Sequence, residues 1–200
     1  MYKLYGSPKN RAGRIMWMLE ELGAEYEIIA AAPHSDEINA VNPTGKLPAL
    51  VDGDVAVFDS TAIMMYLADK HGKMTYPVGS PERARLMSIL CFAIDAVEQP
   101  LWTMAKHAFV LPEDVRLGEA IHPACHAEWS KAMVALEKII GDGPFAMGED
   151  FTIADVTLGH LGGWGKASGM PAPPASVAAY MDRVRSRPGW LAVAEARKAG

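Results

Sequence analysis

The chain changes its hydrophobic rhythm near Gly72. Before it, short apolar runs alternate with polar turns; after it, apolar residues recur at helical spacing. Met1 to Tyr5 reads as a short strand. Arg11 to Leu22 carries Ile15, Trp17, Met18, Leu19 and Leu22 on an amphipathic helical pattern, and Gly23 stands where a helix stops. Glu25 to Ile29 alternates Tyr26 and Ile28 with acids, a strand pattern. Strand–helix–strand implies parallel pairing of the two strands. Ala49 to Val51 and Val55 to Phe58 flank Asp52-Gly53-Asp54, a hairpin signal. Ser60 is read as the cap of a helix through His71 that Gly72 ends. The order is β-α-β, an irregular stretch, then β-β-α.

Lys73 to Pro81 is rich in turn formers and reads as a linker between residues 1–72 and an all-helical region, 82–200. Pro81 suits a first helical turn. The helix it opens runs towards Gln99, where Pro100 should break or kink it. Pro112 to Ile140 reads as a long helix interrupted at Pro123. Phe151-Thr152-Ile153-Ala154-Asp155 has the form of a helix start, with Thr152 as cap and Asp155 bonding back three residues on. Val177 to Val184 and Leu191 to Arg197 complete the helical half.

Composition narrows the class. Two hundred residues, half of them hydrophobic and about a fifth charged, suit a globular chain with a sizeable core. A net charge of −5 disfavours nucleic acid or an anionic membrane as partner. No apolar run is long enough to span a bilayer, and Lys3, Lys9, Arg11 and Arg14 interrupt any signal-peptide layout. Cys91 and Cys125 stand far apart without a CxxC motif. Both are expected to be free thiols in a reducing, cytoplasmic setting.

The chemistry-bearing residues lie in the first region. Pro48 precedes a strand, where it cannot donate to a ladder and must sit at an edge or bend. A cis Leu47–Pro48 bond would turn the Leu47 backbone outward, free to pair with an extended peptide. Eleven residues on, Asp59-Ser60 opens a helix whose unpaired N–H groups suit a carboxylate. The Ser60 hydroxyl adds a bond, and Asp59 suits an ammonium. The turn Ser7-Pro8-Lys9-Asn10-Arg11 holds further donors.

Four stretches carry a family resemblance: the Ser7–Arg14 turn, GKLPALVDG, FDSTAIMMYL at Phe58–Leu67, and FTIADV at Phe151–Val156. In this order and spacing the chain resembles a bacterial cytosolic glutathione S-transferase. That resemblance implies an α/β thioredoxin-like N-terminal domain, βαβ-ββα, followed by an all-α domain that takes the acceptor substrate. It predicts that Leu47 precedes a cis-proline, Pro48, and pairs with the cysteinyl backbone of glutathione. Asp59 and Ser60 match the pair that holds the γ-glutamyl end, and Lys46 and His34 lie where groups face the glycyl carboxylate. Trp102, His107 and Phe109 are the expected lining of the acceptor pocket. A homodimer acting on a small hydrophobic electrophile, with glutathione as co-substrate and no metal, follows from the same resemblance.

Glutathione's thiol should ionise near the cysteine value of about 8.5, so the enzyme must stabilise the thiolate. Family members of this type usually place Ser or Cys four residues before the arginine matched by Arg14. Here that position holds Asn10, whose amide can donate. Asn10 ranks first as the thiolate donor, Ser7 second, then Arg11 and Tyr5. Thr152 and Asp155 read as a structural cap, and His122 and His126, four apart with Cys125 between them, as surface histidines and not a metal site. The expected reaction is attack of the thiolate on an electrophile or reduction of a peroxide. The rivals are a glutathione-dependent isomerase, dehalogenase or disulfide reductase, and a non-catalytic glutathione-binding or regulatory member. The absence of cysteine from the turn argues against chemistry that needs a protein thiol in the first domain.

Overall fold

A computed structural model describes residues 1–199. The chain forms two compact units: Met1–Tyr76 together with the chain from Arg185, and Pro77–Val184. The expected helical domain of 82–200 therefore loses its last helix to the first unit. Val193 and Trp190 of that helix are buried there, against the α1 helix described next.

The first unit contains β1 (Tyr2–Tyr5), α1 (Ala12–Leu22), β2 (Tyr26–Ile29), α2 (Asp36–Asn39), β3 (Ala49–Asp52), β4 (Val55–Phe58) and α3 (Ser60–His71). The sheet order is β2-β1-β3-β4. β1 pairs parallel with β2 and antiparallel with β3, and β3 pairs antiparallel with β4. This is the βαβ-ββα order read from the sequence, with α2 added inside the stretch expected to be irregular. Leu4, Ile15, Leu19, Leu50, Ile63 and Leu67 form the core, all fully buried.

α1 is more than amphipathic. Ala12 through Leu19 are all buried, because α9 (Pro188–Ala199) covers the face that the sheet leaves uncovered. Trp17 meets Trp190 with ring centroids 5.1 Å apart. Gly23, in the left-handed conformation, ends α1 as expected.

The second unit holds α4 (Pro81–Phe92), α5 (Gln99–Ala105), α6 (His122–Ile140), α7 (Ile153–Ala167) and α8 (Ala175–Arg185), whose last residue falls in the first unit. Ser80 caps α4 by accepting from the Arg83 N–H at 3.1 Å. Pro100 does not break the helical path. A π-helical stretch at Ala93–Glu98 precedes it, and Pro100 then occupies the first turn of α5. The widened turns fit a residue that lacks an N–H and whose ring crowds the carbonyl four residues back. A second π-helical stretch, Lys106–Val110, follows α5.

The long helix expected from Pro112 starts only at His122. Two short 3-10 turns, Glu113–Val115 and Gly118–Ile121, fill the interval, and Pro123 helps to start α6 instead of interrupting it. Its core includes Leu90, Leu101, Trp129, Leu136, Val156, Leu161 and Tyr180. Asp155 carries the cap of α7 as read, accepting from the Thr152 N–H at 2.8 Å. Among the described residues no helix is long and apolar enough to cross a membrane.

Candidate active site

The sheet register gathers the candidate residues. Tyr5, the last residue of β1, lies opposite both Ala49, the first of β3, and Ile29, the last of β2. Ala49 in turn lies opposite Phe58, the last of β4. Four loops therefore leave one end of the sheet: the Ser7–Asn10 turn after β1, the loop with His34 after β2, Leu47-Pro48 before β3, and Asp59-Ser60 after β4. The C-terminal end of a parallel strand pair is where α/β sheets commonly bind ligands.

The turn is internally bonded. The Asn10 N–H reaches the Ser7 carbonyl at 3.2 Å. Asn10 Oδ1 accepts from the Ala12 N–H at 2.8 Å and so satisfies one of the open donors at the start of α1. Asn10 Nδ2 donates to Ser7 Oγ at 3.3 Å, and the Lys9 N–H donates to the same oxygen at 3.3 Å. The Ser7 hydroxyl thus accepts two bonds and keeps its own hydrogen, while Asn10 keeps one amide hydrogen. Gly6 permits this geometry. Its φ is +143°, and a Cβ there would stand 2.6 Å from the Ala12 Cβ. Tyr5 is half-buried on the opposite face of β1 from the buried Leu4. Arg11 is half-buried beside α1.

The Leu47–Pro48 peptide is cis, as expected. Neither the N–H nor the C=O of Leu47 has a partner among the described residues. Buried Asn42 shapes the approach to it. Its Nδ2 donates to the Lys46 carbonyl at 2.7 Å, and its Oδ1 accepts from the Thr44 N–H at 3.0 Å and the Thr44 hydroxyl at 2.8 Å. His34, at φ 63°, is tied to the same loop by its N–H to the Gly45 carbonyl at 2.7 Å. Its ring occupies the space that a Cβ on Gly45 would need, 2.2 Å from Nδ1. Lys46 is exposed.

Asp59, and not Ser60, is the cap of α3. Its Oδ1 accepts from the Thr61 N–H at 2.8 Å and the Ala62 N–H at 3.4 Å. A capping residue lies outside the helix, and Asp59 at φ 69° has left helical geometry whereas Ser60 has entered it. Ser60 is buried and accepts from Arg14 Nη1 at 3.2 Å. Arg14 is itself fully buried on α1, so its guanidinium ties the start of α3 to α1. The sequence marked Arg14 only as a reference position. A bond between residues 46 apart has no local signal.

Trp102, His107 and Phe109 belong to the second unit, on the helical run of α5 and the π-helical stretch after it. Trp102 and His107 are half-buried and Phe109 is exposed. His107 Nδ1 accepts from the Leu117 N–H at 3.2 Å. Arg116 donates to the carbonyls of Leu111 at 2.6 Å and Phe109 at 3.1 Å, closing the C-terminal end of that run. His122 and His126 stack on α6 with centroids 5.9 Å apart, and Cys125 between them is buried. Among the described residues no group of three or more His, Cys, Asp and Glu could hold a metal ion.

Residues 1–69 match the model of the glutathione S-transferase N-terminal domain. Glutathione S-transferase 3 of Zea mays is 30% identical over 212 aligned positions, covering 96% of this chain and 88% of that one. A glutathione transferase structure from Methylococcus capsulatus superposes with a TM-score of 0.84 at 25% identity, covering all of both chains. A family member from Pseudomonas fluorescens, solved with two glutathione molecules bound, gives a TM-score of 0.80 at 24% identity, over 96% of this chain and 91% of that one. With the sheet-end loops, the cis-proline and the helix-start Asp-Ser pair in place, this chain belongs to the glutathione S-transferase family of enzymes.

Proposed function

We propose that the chain binds glutathione along this end of the sheet and holds its thiolate at the Ser7–Asn10 turn, for attack on a small hydrophobic electrophile or reduction of a peroxide. The observation that carries the reading is the open Leu47 backbone lying beside the turn through the Tyr5–Ala49 register. Leu47 suits a strand-like pairing with the cysteinyl unit of a short peptide. The second carboxylate oxygen of Asp59 and the hydroxyl of Ser60 suit the ammonium and carboxylate of the γ-glutamyl end. His34 and Lys46 suit the glycyl carboxylate. The glutathione bound in the Pseudomonas fluorescens relative supports the choice of peptide.

The thiol loses its proton to solvent, and the thiolate takes the Ser7 hydroxyl hydrogen and the spare Asn10 amide hydrogen. The positive end of α1 adds to their effect. Asn10 outranks Ser7 because its loss would also release the bond that orients the Ser7 hydroxyl. Arg11, half-buried beside the turn, and Tyr5, on the far face of β1, rank below both. Trp102, His107 and Phe109 are the proposed acceptor-contacting residues. A disulfide-reductase reading is weakened by the absence of any cysteine before Cys91. A homodimer in the cytoplasm accompanies the proposal.

The test is calorimetric titration with glutathione, together with rates on a chromogenic aryl halide and a hydroperoxide. Wild type should bind and turn over at least one of the two. Asn10→Ala should lower kcat about tenfold to a hundredfold, as loss of a hydrogen bond to a charged group does. Ser7→Ala should lower it less. Glutathione binding without turnover of any electrophile or peroxide would leave the non-catalytic reading standing.

A further inference from the structure

The docking of α9 on α1 has two anchored ends. At one, Arg187 clamps Glu21 through Nε at 3.0 Å and Nη2 at 2.6 Å, and Glu21 also accepts from Trp17 Nε1 at 3.1 Å. At the other, Arg197 Nε donates to the carbonyl of Pro8 at 2.6 Å. Pro8 lies inside the Ser7–Asn10 turn, so the last turn of the chain's final helix grips the backbone proposed to face the thiol.

Three features show a built contact. The Arg197 guanidinium lies 4.8 Å over the Trp190 ring, which packs on Trp17. Gly13 leaves room for the approach: a Cβ there would stand 2.9 Å from the Pro8 oxygen and 3.1 Å from Arg197 Nη2. Among the described residues no carboxylate pairs with Arg197. Burial pushes its pKa below the ordinary arginine value, which marks the partial desolvation of the cation. An arginine stays charged under such a shift.

We propose that Arg197 is a positioning residue for the glutathione thiolate: its charged hydrogen bond to Pro8 fixes the turn, and its guanidinium adds to the positive potential at the start of α1. This rests on the glutathione reading above. The other charged groups around the turn are Lys9 within it, Arg11 just after it, Arg14 on α1 and Asp59 before α3. Arg14 donates to Ser60, and Asp59 spends one oxygen on the α3 backbone. Arg197 therefore supplies a cation from a separate element of the same unit. The thiol proton leaves to solvent and no bond to the protein forms.

The experiment titrates the ultraviolet thiolate absorbance of bound glutathione against pH, alongside kcat, KM for glutathione and thermal melting. Arg197→Met, which keeps the stem and loses donor and charge, should raise the thiol midpoint by about one pH unit. It should lower kcat at neutral pH up to tenfold and change KM about twofold or less. Arg197→Lys, which restores the charge without the Nε geometry, should fall between Met and wild type, and it carries the test if the Met variant does not fold. Arg187→Gln breaks the other anchor. It should lower the melting temperature and leave the midpoint in place. An unchanged midpoint in Arg197→Met, or an equal rise in Arg187→Gln, overturns the proposal while the glutathione reading survives. Wild type with no depressed thiol midpoint overturns both.

Discussion

Two helices of this protein carry a capping aspartate at their start, Asp59 as the N-cap of α3 and Asp155 three residues after the Thr152 cap of α7, and the two carboxylates end in opposite conditions. Asp155 at the start of α7 is fully buried and saturated. Its Oδ1 accepts from the Ala146 N–H at 2.8 Å and the Tyr180 hydroxyl at 2.7 Å. Its Oδ2 accepts from the Thr152 N–H at 2.8 Å and the Thr152 hydroxyl at 3.1 Å. Burial raises the Asp155 carboxyl above the usual range, against the pull of those donors, and it raises the Tyr180 phenol as well. Asp59 at the start of α3 is exposed and spends only Oδ1 on the helix. A cap that uses every lone pair is a structural node. A cap that spares an oxygen, on exposed backbone beside an open peptide edge, is available to a ligand. The residue type is the same, and its position in the first turn, its burial and its spare valence decide its role.

The largest break in this comparison is Asp155→Ala. It leaves two buried N–H groups and two hydroxyls without an acceptor and should cost roughly 3–4 kcal/mol of stability, read from urea unfolding. Glutathione affinity of the folded fraction should stay near wild type, because Asp155 lies in the other unit. At Asp59 the order reverses. Asp59→Asn keeps an acceptor for the α3 cap and tolerates the positive φ, so stability should stay within about 0.5 kcal/mol. It loses the charge proposed to meet the γ-glutamyl ammonium, and glutathione affinity should fall about tenfold or more. Asp59→Ala should lose both, with about 1 kcal/mol of stability gone along with the cap. Equal loss of affinity at Asp155 and Asp59 in calorimetry would erase the distinction.

The smallest effect sits on an acid that is neither cap nor ligand group. Asp52, at the end of β3, is held below the usual carboxylate range by Lys70 first and the Tyr66 hydroxyl second. A lowered folded-state pKa stabilises above the unfolded value and is lost as pH falls through the folded one. The melting difference between wild type and Asp52→Asn should be present at neutral pH and vanish in the acid range below about pH 4. A difference that grows on acidification would contradict the assignment.

Much of the first unit was legible because its signals are local: Gly23 and Gly72 at helix ends, Asp-Gly between the two short apolar runs of the hairpin, and alternation in β2. Asp59-Ser60 and Leu47-Pro48 were legible as a pair because a strand hairpin of fixed length separates them. The shift of the cap from Ser60 to Asp59 was not, since both residue types cap helices well and φ alone decides. The helical half was read as helical but with wrong breaks. Pro123 stands at a helix beginning, where a missing N–H costs nothing, Pro100 follows a π-helical stretch that makes room for it, and π-helical turns leave no mark in spacing. The burial of α1 on both sides and the bonds of Arg14 and Arg197 come from partners 46 and 189 residues away. No periodicity within a segment encodes such contacts.

The Ser7–Asn10 turn is proposed to stabilise the thiolate of bound glutathione. The most direct test is the ionisation midpoint of that thiol in the wild-type complex and in the Asn10→Ala complex. The wild-type midpoint should lie at least one pH unit below the free thiol's value of about 8.5 and move back towards it in Asn10→Ala. A wild-type midpoint equal to that of free glutathione, or an Asn10→Ala midpoint equal to wild type, would contradict it.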